Sequence, residues 1–92
     1  MRHSIIIVTA RSESIRGMTE KWLKNSYILN DGLCMKPINS KLSDEEYKLG
    51  VIKTLEEKYE ILFIVDDSPR VVNLLRDNGY WVLQPNNLYK ED

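Results

Sequence analysis

A three-layer α/β sandwich, with helices on both faces of a short doubly wound parallel sheet, is the fold this sequence predicts. Two β-branched apolar runs, Ile5-Ile6-Ile7-Val8 and Ile61-Leu62-Phe63-Ile64-Val65, lack the alternation of a half-exposed strand and suit strands covered on both sides. Between the apolar runs the spacing changes from continuous to helical. The intervening segments are long enough for the crossovers that join parallel strands.

In chain order, Ile5–Val8 is the first strand. After Ser12, the residues Ile15, Met18 and Trp22 stand at i, i+3 and i+7 and predict a helix with that face inward. Gly17 weakens this helix by about 1 kcal/mol relative to Ala. Leu33-Cys34-Met35 is a short edge strand. Ser43-Asp44-Glu45-Glu46 is a capping box, and the helix it opens carries Leu49, Ile52, Leu55 and Tyr59 along one stripe, with Tyr47 and Val51 beside it. Ile61–Val65 is the third strand. Ser68-Pro69 opens a third helix, which Val71, Val72, Leu74 and Leu75 bury and Asn78-Gly79 ends. Tyr80-Trp81-Val82-Leu83 is the fourth strand, with Trp81 expected in the core. Right-handed crossovers then give the strand order 2-1-3-4, with the two greasiest strands at the centre.

Composition bounds the function. The 92 residues hold 13 Lys+Arg against 14 Asp+Glu, a net charge of −1, which argues against a general nucleic-acid clamp. Neither a repeat nor a linker interrupts the chain, so residues 1–92 read as a single domain. A single cysteine, Cys34, excludes an intramolecular disulfide; with no histidine beside it, it reads as a small buried hydrophobe. No apolar run reaches the roughly 20 residues of a membrane helix. The first apolar run is too short for a signal-peptide core, so the expected setting is cytoplasmic, without a membrane partner.

Ligands of such sheets bind beyond the carboxyl ends of the strands, where the winding direction switches. The first strand ends in Thr9-Ala10-Arg11-Ser12 and the third in Asp66-Asp67-Ser68-Pro69-Arg70. A hydroxyl, two carboxylates, two arginines and a helix amino terminus suit a phosphate with Mg²⁺. Each piece has a plainer reading: an Asp after a strand is often a helix cap, and Thr9 could simply end a strand. Adjacent acids at the end of an apolar strand are harder to dismiss, because like charges repel unless a cation or donor offsets them.

Thr9-Ala10-Arg11 and Phe63-Ile64-Val65-Asp66-Asp67 resemble motifs two and four of the haloacid dehalogenase-like phosphohydrolases. Within that superfamily the chain resembles the 3′-phosphatase domain of phage-type polynucleotide kinases. Met18-Thr19-Glu20-Lys21-Trp22-Leu23 is similar to that branch's Thr-x-x-Trp-hydrophobic helix, and Asp66-Asp67-Ser68-Pro69-Arg70-Val71-Val72, with Arg76, Gly79 and Gln84, to its Asp-Asp-Arg-x-x-Val-Val segment and the strand that follows. The resemblance covers nearly the whole chain. It implies that Thr9 hydrogen-bonds a phosphoryl group with Ala10, Arg11 and Arg70 nearby, and that Asp66 and Asp67 hold Mg²⁺. The family's third-motif lysine matches Lys48, with Lys53 as runner-up; the plain alternative for Lys48 is a solvated helix lysine. Ser68 stands where the branch usually has arginine, for which Arg70 could substitute.

The family's nucleophile is the first Asp of an Asp-x-Asp-x-Thr motif, on a strand that lies between the first and third strands numbered here. No Asp-x-Asp occurs in these 92 residues, and only eight residues precede Thr9. The resemblance therefore implies a truncated haloacid dehalogenase-like core. Either the first and third strands pair directly, which is the reading preferred here, or a second copy or another protein donates a strand, or the chain is one piece of a split enzyme. An exposed edge on either strand would promote self-association into a homodimer.

Two functions follow. One is a non-catalytic relative that binds a phosphate-bearing nucleotide, a nucleic-acid end or a protein partner, in a host cytoplasm if the gene belongs to a phage. The alternative is a Mg²⁺-dependent phosphatase, acting alone or complemented by the missing strand, with Thr9, Lys48, Asp66 and Asp67 as its catalytic set. Loss of the general acid alone should lower the rate ~10²–10⁴-fold. A phosphoacceptor receiver domain fits poorly, since its acid pair follows the first strand and its hydroxyl comes later.

Overall fold

The computed structural model describes residues 3–85. The chain divides into two compact units, residues 1–42 and 43–92, and each is described by itself. The tail beyond Pro85, with Tyr89, lies outside the described residues. The order of strands and helices matches the alternation expected from the sequence.

The first unit is a β-α-β element: β1 (Ile6–Ser12), a 3-10 turn over Glu13–Ile15, α1 (Arg16–Asn25) and β2 (Gly32–Lys36). The two strands pair in parallel, from Ile6 opposite Gly32 to Thr9 opposite Met35. The register then breaks, and Ser12 comes to lie opposite Lys36. Ala10 and Arg11 therefore sit on a bulge, a feature that re-aims side chains at the end of a strand. The inward face of α1 is Thr19 and Leu23, both buried. Met18 and Trp22, expected inside, are 73% and 55% exposed. Thr19 tolerates burial because its hydroxyl donates to the carbonyl of Ile15, 3.0 Å away.

The amino end of α1 has no side-chain cap. The Arg16 guanidinium instead ties the turn to the neighbouring strand: it grips the Glu13 carboxylate through two 2.7 Å hydrogen bonds and donates at 3.2 Å to the carbonyl of Leu33 in β2. Its hydrogen bond to Arg16 holds the Glu13 carboxyl below its usual range.

The second unit runs α2 (Asp44–Leu55), β3 (Ile64–Val65), α3 (Pro69–Asp77) and β4 (Val82–Leu83). The capping box at Ser43 closes as predicted, with both the Glu46 amide and the Ser43 amide bound at 3.2 Å. Proline opens α3, and Gly79, at φ +89°, takes the left-handed turn that ends it. The core gathers Ile52, Val71, Val72, Leu75 and Val82, with Leu49, Ile61, Ile64 and Tyr80 packed against it. Tyr59, expected on the buried stripe of α2, lies past its end and is exposed.

The strands pair as β1-β2 and β3-β4, two parallel two-stranded sheets rather than one sheet of four. β3 and β4 are each shorter than the sequence suggested. The amides of Ile64 and Asp66 donate to Trp81 and Leu83, so β3 is bonded along one edge. Alternation along a strand turns the backbone of Phe63 and Val65 to the other edge, where no partner occurs among the described residues. Phe63, Val65 and Leu83 are exposed, and so is Trp81, which was expected in the core. Among the described residues, no helix is long and apolar enough to cross a membrane.

Candidate phosphate and acid sites

In the first unit, Thr9-Ala10-Arg11 occupies the bulge at the carboxyl end of β1. The Thr9 side-chain oxygen accepts the amide of Arg11 at 3.2 Å. Accepting that bond leaves the Thr9 hydroxyl proton available to donate. The Arg11 side chain is exposed, and its guanidinium carbon stands 6.0 Å from the centre of the Trp22 ring, the outer limit of a cation–π contact.

The second unit brings Lys48 and Asp66 together. Lys48 lies one turn into α2, and its Nζ donates to Asp66 Oδ2 at 2.9 Å, with the two side chains only 17% and 11% exposed. The other carboxylate oxygen of Asp66 accepts the Ser68 amide at 2.9 Å. The Asp66 amide is in turn bonded to Leu83, so backbone and side chain are both fixed. Lys53, the other lysine considered, is exposed at the far end of α2.

Asp67 points out of this arrangement and is exposed; its carbonyl lies 3.5 Å from the Gln84 side-chain nitrogen. The neighbouring acids thus avoid mutual repulsion by separate means: Asp66 is neutralised by Lys48, and Asp67 is solvated. Arg70, second residue of α3, is also exposed. Ser68 caps α3 through its position alone, without a side-chain bond.

Two carboxylates are the right type of donor for Mg²⁺, which commonly takes one or two from the protein and fills its shell with water and phosphate oxygens. Here both oxygens of Asp66 already have partners, and among the described residues no third acid, histidine or cysteine joins the pair. As they stand, these residues do not form a metal site.

Residues 1–87 match the model of the polynucleotide kinase PNKP phosphatase domain, a haloacid dehalogenase-like fold. The chain belongs to that family. No curated protein and no solved structure matches it. The match runs through both units of this PNKP phosphatase-type chain and includes the Thr9 bulge and the Lys48–Asp66 pair.

One feature of the PNKP-type chain escaped the sequence reading: the exposure of Trp22 beside Arg11. The residues that could have signalled it are Thr19 and Leu23, spaced i, i+4, which define an inward face that leaves Met18 and Trp22 outside.

Proposed function

We propose that this chain binds a phosphate-bearing ligand, a nucleotide or a nucleic-acid end, without turning it over by itself. Thr9 donates to a phosphate oxygen, and Arg11 supplies the charge that holds it. The observation that carries this reading is the engagement of Asp66. A carboxylate held by Lys48 and by the Ser68 amide is an organiser of its loop; it is poorly placed to attack phosphorus. The 92 residues offer no Asp-x-Asp in its stead.

The test pairs turnover with binding. With Mg²⁺ present, phosphate release from a 3′-phosphorylated oligonucleotide should not exceed that of Asp66→Ala or Asp67→Ala. Calorimetry should show a nucleoside 3′-monophosphate binding more tightly than the nucleoside, with that preference lost in Arg11→Ala. Turnover abolished by Asp66→Ala would overturn the reading.

A second reading is favoured by the open edge of β3. Its unpaired backbone at Phe63 and Val65, beside the exposed Phe63, Val65, Trp81 and Leu83, is suited to receive one more parallel strand. A strand carrying an Asp-x-Asp, from another segment or another chain, would add the acids that a Mg²⁺ site and a nucleophile require. In that case adding the strand as a peptide should create Mg²⁺-dependent phosphate release where the chain alone has none.

A further inference from the structure

The net charge of −1 conceals a division. Residues 1–42 carry seven Lys+Arg against three Asp+Glu, a net +4, and residues 43–92 carry six against eleven, a net −5. The basic unit also carries the exposed strip of α1. Met18, Lys21, Trp22 and Asn25 follow the i, i+3, i+4, i+7 spacing of one helix face, and all four are exposed. Arg11, from the bulge of β1, lies over the Trp22 ring. Arg16 is engaged by Glu13 and Glu20, whereas Lys21 and Lys24 form no ion pair among the described residues.

We infer that Trp22 is a stacking platform for the terminal base of a single-stranded nucleic acid, with Arg11 beside it and Lys21, on the same exposed strip, facing the backbone. An indole that is 55% exposed on a basic helix face is costly to leave in water, yet it fits a planar ring whose chain brings negative charge. The charge of the first unit is complementary to a phosphate backbone and would repel a basic partner. Stacking reads no hydrogen-bond edge, so the platform accepts any base. It also requires that the base be unpaired, because a base stacked inside a duplex has no free face. This deepens the binding reading above and rests on it only for the position of the strand end: Arg11 belongs both to the bulge with Thr9 and to the platform.

The experiment is fluorescence anisotropy with short 5′-labelled oligothymidylates in three forms: 3′-phosphorylated, 3′-phosphorylated with an abasic terminal sugar, and ending in a 3′-hydroxyl. Removing the terminal base should weaken binding to the intact chain by about 5- to 150-fold, the range of one base–aromatic stack. Trp22→Phe should keep that difference. Trp22→Ala should bind the base-bearing and abasic strands alike; Trp22 is exposed, so the variant keeps its fold, which circular dichroism checks. Equal binding of the two strands by the intact chain would overturn the platform even if the 3′-phosphate were preferred. Equal loss of both strands in Trp22→Ala would also overturn it. Base-dependent binding through Trp22 that ignores the 3′-phosphate would leave the platform standing and remove the phosphate reading. Failure to bind any of the three strands would overturn both.

Discussion

At the residue scale the Lys48–Asp66 pair is the most informative contact in the second unit. Removing one partner of a largely buried ion pair leaves a charge that has lost its solvent and its counter-charge together. Lys48→Met should therefore lower stability by about 2 kcal/mol, read as a lower urea midpoint. Adding Asp66→Asn should recover part of the loss, because the amide needs no cation and its oxygen can still accept the Ser68 amide. A different residue-scale effect appears at high pH. Burial, with a hydrogen bond to Glu56, pushes the Tyr80 phenol up to about 12 from an ordinary value of 10. The folded state then keeps a proton that the unfolded chain gives up. That contribution is fully present below pH 10 and lost as pH rises towards 12. Tyr80→Phe should flatten the alkaline limb of a stability–pH curve measured by urea denaturation.

At the scale of elements, the helices of the second unit were legible in the sequence and the sheets were not. Ser43 with Glu46, and Ser68-Pro69 with Gly79, are local devices whose partners lie within a few residues, so the chain specifies them without knowledge of the fold. Ser43→Ala should cost about 1 kcal/mol, visible as an earlier thermal transition. Strand length depends on what lies alongside. Ile61–Val65 is apolar throughout, but pairing with β4 along one edge fixes only Ile64 and Val65 as strand. The apolar stripe of α1 was misplaced because its inward position went to a threonine. Composition cannot reveal that the hydroxyl of Thr19 is satisfied inside its own helix. Among site residues, Asp66 and Lys48 stood out from the family pattern, whereas their direct ion pair required the fold, since eighteen positions separate them. Trp22 passed for a core residue because a large apolar side chain at helical spacing usually is one.

At the scale of the whole molecule, family membership and the two small sheets belong together. The PNKP-type family model spans residues 1–87, yet each described sheet has two strands, and β3 carries an open edge flanked by apolar side chains. Open edges of this kind template pairing with other chains. Sedimentation across a concentration series should show self-association, and Val65→Lys should suppress it by placing a charge on the exposed flank. A strictly monomeric chain at the highest concentration would argue against that use of the edge.

Both sheets are parallel, and this has a consequence for tinkering with the protein. In a parallel pair all the carboxyl ends share one rim and all the amino ends the other. The bulge after β1 and the Asp66–Arg70 turn after β3 therefore leave their sheets on the rim where strands finish. The turns that lead into strands, Ser26–Asn30 before β2 and Glu56–Glu60 before β3, sit on the opposite rim and are exposed throughout. Insertions, affinity tags or fluorescent labels belong in those two turns, where the chain can be lengthened or decorated with no change to the rim of either sheet at which its strands finish.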